Sequence, residues 1–591
     1  MASLQGAYFS QNPIYRWDPI LDSRRNLSNR YDEPFVNIFS EQDLASNFIA
    51  SFMQSCDERN ENCRDNDSCN YTTKAVVKFC EGADFAALQH NICATTELVA
   101  LLGDGVGSTA MGLYQALMKP KEKIRKIRMY IRDGRIYKTT GVNSSLRHNT
   151  IGSQEQHAEI RRVYIASLTP WIVVALAASA PHYQAGILGK FISNHLRFGA
   201  LISAIINPHF TFFALEFQLP YFALRKHRLP QKDARKLRLF EDITFLRTMG
   251  DKTDNSPSEY IYESKLSCLI SGPSRYSWSG FLINDQYFET EDESESVAEY
   301  IDQGKVGILP DPFAAGKRPL GDLPSDPREH FLIALEIRLR QVGKEWCEVS
   351  MTVDETIKLY GRDFWERKIC GRSYGDGLRE ASDTDGHRSR LRGEHQEWMR
   401  RIVELLRKFI NTLNQYSDKW KAFSDTGQNY FTSTDDADYS EGLRKNLIAV
   451  HTQIIELEGF RSSFKHTLDY CEDMSRNFNL RIALEGNESA LFQQKTARDV
   501  KVLTWITFLS LPFALAASLL STQEGYIPIS PSPGALLASI AVLETAIWLV
   551  LGSLLGWDWF RTLVNSWLPY QFRSREAGIA GLESRQSDGL T

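Results

Sequence analysis

The stretch VLTWITFLSLPFALAASLL at 502–520 is nineteen residues long and carries no charge. As a helix rising ~1.5 Å per residue it would extend roughly 28 Å, about the thickness of a bilayer's hydrocarbon core. Pro512 inside it would break a soluble helix but is tolerated in a membrane one. A Pro- and Ser-rich connection, STQEGYIPISPSP at 521–533, leads to a second apolar run, GALLASIAVLETAIWLVLGSLLGW at 534–557, whose one ionisable residue is Glu544. The pair reads as a transmembrane hairpin over 501–557, with spans at 502–520 and 534–557. A buried hairpin of a soluble protein is the alternative.

Flanking charge sets the orientation. Lys495, Arg498 and Lys501 precede the first run, Arg561, Arg573 and Arg575 follow the second, and the connection has neither Lys nor Arg. The positive-inside rule places both termini in the cytoplasm, including a tail at 558–591, and makes the chain a two-span membrane protein in contact with lipid. The first 25 residues hold no apolar run of signal-peptide length, so the large N-terminal part is expected to stay in the cytosol. Nine cysteines, five of them at Cys56, Cys63, Cys69, Cys80 and Cys93, show no repeated C-x-x-C pair. Reduced thiols fit that pattern, and a disulfide or metal cluster between Cys56 and Cys93 is the alternative. A formal charge of −5 over 591 residues lacks the basic excess of a nucleic-acid protein. No P-loop, G-x-S-x-G or H-E-x-x-H is present, so no catalytic residues and no enzyme activity are expected. His157, His182 and His195 are scattered and read as core or surface residues.

Residues 1–40 read as a flexible arm and 41–118 as a helical region. KIRKIRMYIRDGRIYKTTG, centred on Asp133-Gly134, predicts a β-hairpin. RRVYIASL (161–168) predicts a strand, TPWIVVALAASA a helix with Pro170 in its first turn, and FTFFALEFQLPYFAL (210–224) another strand. Runs at 263–288 and 331–340 are also strand-like. Together they give an α/β or α+β cytosolic domain over 119–375. A polar linker at 376–393 follows. Trp398, Ile402, Leu405, Leu406, Phe409 and Leu413 recur at helical spacing, and 441–500 continues with few breakers. This stalk region, 394–500, reads as two long antiparallel helices or as ordinary helices of a bundle.

At 100° per residue, Thr504, Thr507, Leu511, Ala514, Ser518 and Ser521 share one side of the first span. That side is small and hydroxyl-bearing, which suits either a pore lining or close helix packing. Glu544 is an intramembrane carboxyl and must face protein or be protonated. The acidic runs holding Asp292 and Glu293, and Asp435, Asp436 and Asp438, are candidates for a regulatory divalent cation or for solvated loops.

The pattern Lys501 to Thr504, Pro512, and Tyr526-x-Pro528 resembles the first membrane helix and loop of CorA-type magnesium transporters. RIALEGNES (Arg481 to Ser489), RRVYIASLTPW and LEFQLPYFALR are similar to fungal CorA-like proteins. The resemblance implies a homopentamer, an α/β cytosolic domain, a long stalk helix continuing as the pore-lining first span, and a peripheral second span. Magnesium or another divalent cation is then the transported and regulatory ion, with no covalently bound cofactor. The family ends its first span with Gly-Met-Asn at the pore mouth; here those positions are Ser521, Thr522 and Gln523. Two functions follow as expectations. One is a divalent-cation channel of this type; the other is a transport-inactive, membrane-anchored sensor or scaffold.

Overall fold

Strand-forming runs dominate residues 100–284 and assemble into one mixed sheet. The computed structural model describes residues 17–23, 33–38, 48–54, 66–90, 98–103, 105–119, 123–124, 128–132, 135–139, 158–207, 212–246, 258–289, 295–306, 309–320, 322–363, 384–432, 437–520 and 532–555. Two units divide the chain, Met1–Ser475 and Arg476–Thr591.

In the first unit the strands are β1 (Ala100–Leu102), β2 (Gly107–Ser108), β3 (Lys123–Ile124), β4 (Arg128–Arg132), β5 (Arg135–Thr139), β6 (Ala158–Ala166), β7 (Leu201–Asn207), β8 (Phe212–His227), β9 (Phe240–Asp242), β10 (Ser258–Ser274) and β11 (Ser277–Asn284). The main sheet runs β2-β1-β6-β11-β10-β8-β7, with β3 beside β6 and β9 beside β10. Among the described residues, only β11 and β6 are parallel; the other neighbours are antiparallel. The hairpin expected at Asp133-Gly134 is β4–β5, which forms a separate two-stranded ribbon with Arg132 opposite Arg135.

Helices cover both faces of the sheet. They are α1 (Asn66–Phe79), α2 (Ala110–Met118), α3 (Pro170–Ser179), α4 (Ala185–Leu196), α5 (Val297–Val306), α6 (Pro327–Asp363), α7 (Thr384–Ala422) and α8 (Ala437–Leu520), which passes from the first unit into the second. Period-two alternation along the strands assigns the faces. Val163 and Ile165 of β6 join one core with α2, α3 and α4. Ile160 and Tyr164 of the same strand, and Phe213, Leu215, Phe217 and Leu219 of β8, join the other core with α6, α7 and the start of α8. Helix α3 begins as the sequence predicts, with Pro170 in its first turn, and Thr169 caps it by accepting from Ile172 N.

The second core is a layer of long helices. On α7, Trp398, Ile402, Leu405, Phe409, Leu413, Tyr416 and Trp420 are buried, the spacing of one helical face. On α8, Leu443, Leu447, Val450, Ile454 and Leu457 are buried at alternating steps of four and three, the spacing of one apolar helical face. Arg407 reaches Glu472 at 3.1 Å, Arg461 reaches Ser417 at 3.2 Å, and Trp420 Nε1 donates to His451 Nδ1 at 3.0 Å. Partners that climb on one helix descend on the other, so α7 and the first-unit part of α8 are antiparallel.

Residues 331–340, strand-like in sequence, are helical within α6. Phe331, Leu332, Ala334, Leu335, Arg338 and Leu339 are all buried. A helical stretch enclosed on nearly every side, as here up to the exposed Arg340, shows little 3.6-residue alternation of polar and apolar positions, which is why FLIALEIRLR carries no clear helical signature. Strands β1 and β2 lie in the stretch read as helical, beside α1 and α2. Within 1–40, Trp17, Leu21, Phe35 and Val36 are buried in the two cores, and the Arg328 guanidinium sits 4.3 Å from the Trp17 ring.

The second unit holds the end of α8 and α9 (Pro533–Leu555). Among the described residues, α8 is the one helix long and apolar enough to cross a membrane by length and composition. Helix α9 spans 23 residues, and its described apolar part is Pro533–Ile547.

Candidate functional site

The end of α8 continues as a helix through Pro512 and is exposed over most of its surface, Val502, Leu503, Ile506, Phe513 and Leu515 included. Pro512 and Ala516 are buried and Trp505 half-buried, whereas Thr504, Thr507, Ser510, Leu511, Ala514 and Ser518 are exposed. At 3.6 residues per turn, Trp505, Pro512 and Ala516 form one stripe, and the centre of the Thr504, Thr507, Leu511, Ala514 and Ser518 face lies about 140° round the helix from it. The five residues singled out from sequence as a lining are exposed, as are most described positions of this segment.

The hydroxyls on this segment are tied to their own helix. Thr504 Oγ1 donates to Val500 O at 2.7 Å, Thr507 Oγ1 to Leu503 O at 2.9 Å, and Ser510 Oγ to Thr507 O at 3.1 Å. Each proton is used inward, leaving the oxygen's lone pairs as acceptors. Water in a cation's hydration shell turns its hydrogens outward, so such acceptors suit a hydrated cation.

Helix α9 has its own inner stripe. Ile540 is buried, and Ala535, Ser539, Leu543, Glu544 and Ile547 are half-buried. Glu544 thus sits on the covered stripe of its helix rather than the open side. Ser521, Thr522 and Gln523 lie outside the described residues, as do Asp292, Glu293, Asp435 and Asp436. Asp438 falls in the first turn of α8, but its side chain is likewise outside them. Among the described residues, no three His, Cys, Asp or Glu side chains are grouped to hold a metal ion.

The described ends of the 289–295 acidic run are engaged with arginines. Arg338, fully buried, donates to Glu295 Oε2 at 2.7 Å, and Arg225 binds both carboxylate oxygens of Glu345 at 2.8 Å. Glu289 stands 3.9 Å from Arg225. Burial and the neighbouring Glu295 push its pKa up to about 8, against the pull of Arg225.

Sequence reasoning did not find a buried polar network between α4 and the sheet. The strand alternation that points Leu215, Phe217, Leu266 and Cys268 into one core turns Glu216, Gln218, Lys265 and Ser267 toward α4. Lys265 Nζ donates to Arg197 O at 2.6 Å, and Arg238 donates to His195 O at 2.7 Å and Leu196 O at 3.2 Å. These cations satisfy the last carbonyls of α4 and meet the negative end of its dipole. Asp285 accepts from Arg238 Nε at 2.7 Å and Arg235 Nη1 at 2.8 Å. Its Oδ1 is 3.5 Å from His195 Nε2, and His195 Nδ1 is 2.7 Å from Ser267 Oγ.

An Asp–His–Ser chain invites a catalytic reading. However, Asp285, His195 and Ser267 are each at most 1% exposed, and the Ser267 hydroxyl donates to Gln218 Oε1. A substrate could not reach that oxygen, so the network is a clamp between helix and sheet. Burial lowers the His195 pKa to about 4 and keeps the ring neutral. Burial alone would raise the Asp285 carboxyl, but Arg238 and Arg235 together hold it well below the usual carboxylate range. The scattered positions of these groups gave no motif to detect.

No protein-family model and no curated protein matches the chain. The solved structures similar to it include the following two. One is the complete structure of the CorA magnesium transporter from Methanocaldococcus jannaschii, at 10% identity, covering 69% of this chain and 94% of that one with a TM-score of 0.26. The other is the full-length CmaX protein, at 12% identity, covering 78% of this chain and 99% of that one, also with a TM-score of 0.26. Such a score is below that of a shared overall fold.

Proposed function

We propose that several copies of this chain surround an axis in a membrane and form a conduit for a hydrated divalent cation, magnesium or one of similar chemistry. The end of α8 lines it, and α9 stands behind. The observation that supports this reading is one exposed face of α8, where Thr504, Thr507, Ala514 and Ser518 gather small and hydroxyl-bearing side chains away from the covered Pro512–Ala516 stripe. Two spans cannot enclose a pore by themselves, so the open side must meet copies of itself around a symmetry axis. The hydroxyl oxygens of Thr504, Thr507 and Ser518 offer acceptors to the ion's water shell. Magnesium sheds that shell reluctantly, which suits contact through water. The motif resemblance at Lys501 to Thr504, Pro512 and Tyr526-x-Pro528 supports the same reading, with Ser521, Thr522 and Gln523 as the mouth and both termini in the cytoplasm.

The test is magnesium uptake into liposomes carrying the purified protein and a magnesium indicator. Wild type is expected to load well above empty liposomes. Thr507→Leu and Ser518→Leu, which replace hydroxyls with apolar bulk, are expected to lower uptake by about tenfold or more. Gln523→Ala should weaken discrimination between magnesium and larger cations. A second reading, a transport-inactive sensor or scaffold, is favoured by Ser521-Thr522-Gln523 standing where the resembling family has Gly-Met-Asn. Uptake no higher than in empty liposomes, from preparations verified as oligomeric, would sink the conduit and favour this second reading.

A further inference from the structure

Residues 226–239, the end of β8 and the loop that leads to β9, hold six Lys and Arg against one acidic residue, Asp233, in a chain whose total is 68 basic to 73 acidic. The loop is fixed from inside. Asp233 is buried and accepts from the backbone N–H groups of Arg235, Leu237 and Arg238 at 3.0, 3.2 and 3.1 Å. Arg235 and Arg238 turn inward onto Asp285. Lys236 takes a left-handed φ of 58°, rare for a residue that carries a side chain. Both stems are tied to neighbouring residues of β10: Gln231 N donates to the Tyr262 hydroxyl at 3.1 Å, and Leu239 N to Glu263 Oε2 at 3.0 Å. What the loop shows to solvent is apolar and basic. Leu229 and Leu239 are 77% and 71% exposed, the most exposed large apolar side chains described in the first unit. Arg228, Lys232 and Lys236 are exposed too, and among the described residues none of the three has an ion-pair partner.

We propose that this loop docks an acidic segment of a partner protein, one that also carries apolar side chains of about the size of leucine. Charge complementarity selects the partner: the three outward cations call for carboxylates, which fix its orientation and exclude basic competitors. Two leucines held in water by a firmly bonded loop are disfavoured there, and a partner's apolar side chains relieve that cost by covering them. Loops held by a rigid scaffold are where binding residues gather. The bonded backbone presents these side chains in one arrangement, so little ordering is lost when a partner of matching positions docks. A fluid bilayer makes no use of such fixity, and a nucleic-acid backbone would leave both leucines uncovered. The inference does not rest on the chain conducting ions.

The test is fluorescence anisotropy with the full chain in phosphatidylcholine nanodiscs and two labelled peptides of Leu and Glu, one with Leu at every second position and one with Leu at helical spacing. At least one is expected to bind at about 0.05 M salt, and to bind about tenfold more weakly at about 0.5 M. Leu229→Ser with Leu239→Ser should weaken binding about tenfold or more, and so, separately, should Arg228→Gln, Lys232→Gln and Lys236→Gln together. Arg228→Lys, Lys232→Arg and Lys236→Arg together should retain it. All five side chains are exposed, so every variant should keep the wild-type denaturant midpoint. Binding of neither peptide, or binding that survives both sets of weakening changes, would overturn the proposal. So would equal binding of peptides with Lys in place of Glu. Self-association that the leucine changes abolish, without a peptide response, would make the loop a contact between copies of this chain. Tightening on discs that contain phosphatidylserine, again without a peptide response, would make it a lipid contact, and either result rejects the partner named here.

Discussion

Asp285 shows most clearly how single residues hold the body together. It is fully buried between Arg235 and Arg238, and Arg238 in turn caps α4. Asp285→Asn leaves both guanidiniums with a neutral partner and should cost about 3–5 kcal/mol, the usual loss when one member of a buried ion pair is removed. Denaturant titration of the purified variant measures it. The folded chain holds this carboxyl below its unfolded value. Its contribution is therefore present above the ordinary aspartate value of ~3.9 and is lost as pH falls from there through the folded value. His195 acts earlier in an acid titration: its folded pKa of about 4 lies below the ordinary ~6.5, so its neutral form favours folding above ~6.5 and that contribution drains away as pH falls toward 4. The stability gap between wild type and Asp285→Asn should stay level from pH 5 to 8 and narrow below about 4. A gap that widened on acidification would contradict the assignment. None of this was legible in the sequence. His195, Lys265 and Asp285 are ninety residues apart end to end, and only strand register brings them under one helix.

At the scale of elements, legibility followed burial geometry. Helices with one wet face, α7 and the first-unit part of α8, announced themselves through the spacing of Trp398, Ile402 and Leu405. The β4–β5 hairpin did so through Asp133-Gly134, and α3 through Pro170. Helix α6 did not, because enclosure erases periodicity. Close backbone approaches were equally silent. At Gly272 in β10 an added Cβ would overlap the Ser277 carbonyl oxygen and stand 2.7 Å from Trp278 Cα. Backbone cannot swing aside as a side-chain tip can. Gly272→Ala should therefore destabilise the β10–β11 hairpin by about 1–3 kcal/mol, the range for overpacking a filled site. A melting temperature equal to wild type would mean the hairpin relaxes more freely than its register implies.

For the whole molecule, the apolar run at 502–520 was readable because an uncharged stretch of that length has few alternatives; it lies in the one described helix long and apolar enough to cross a membrane. What meets the exposed side of α8 was not readable, because on the conduit reading it is another copy of the same surface, and one chain's sequence does not display its own assembly. Assembly can be read from dominance. Co-expression of equal amounts of wild type and Ser518→Leu gives random mixtures if subunits share one axis. Where one copy of the variant is enough to occlude the path, only all-wild-type rings conduct: about a quarter for a dimer and about 3% for a pentamer. A conduit within each separate subunit would instead keep about half the wild-type magnesium uptake. Uptake near half would therefore reject a shared axial path even if the protein transports, while a fall to a few per cent would count the staves as well as locate the pore.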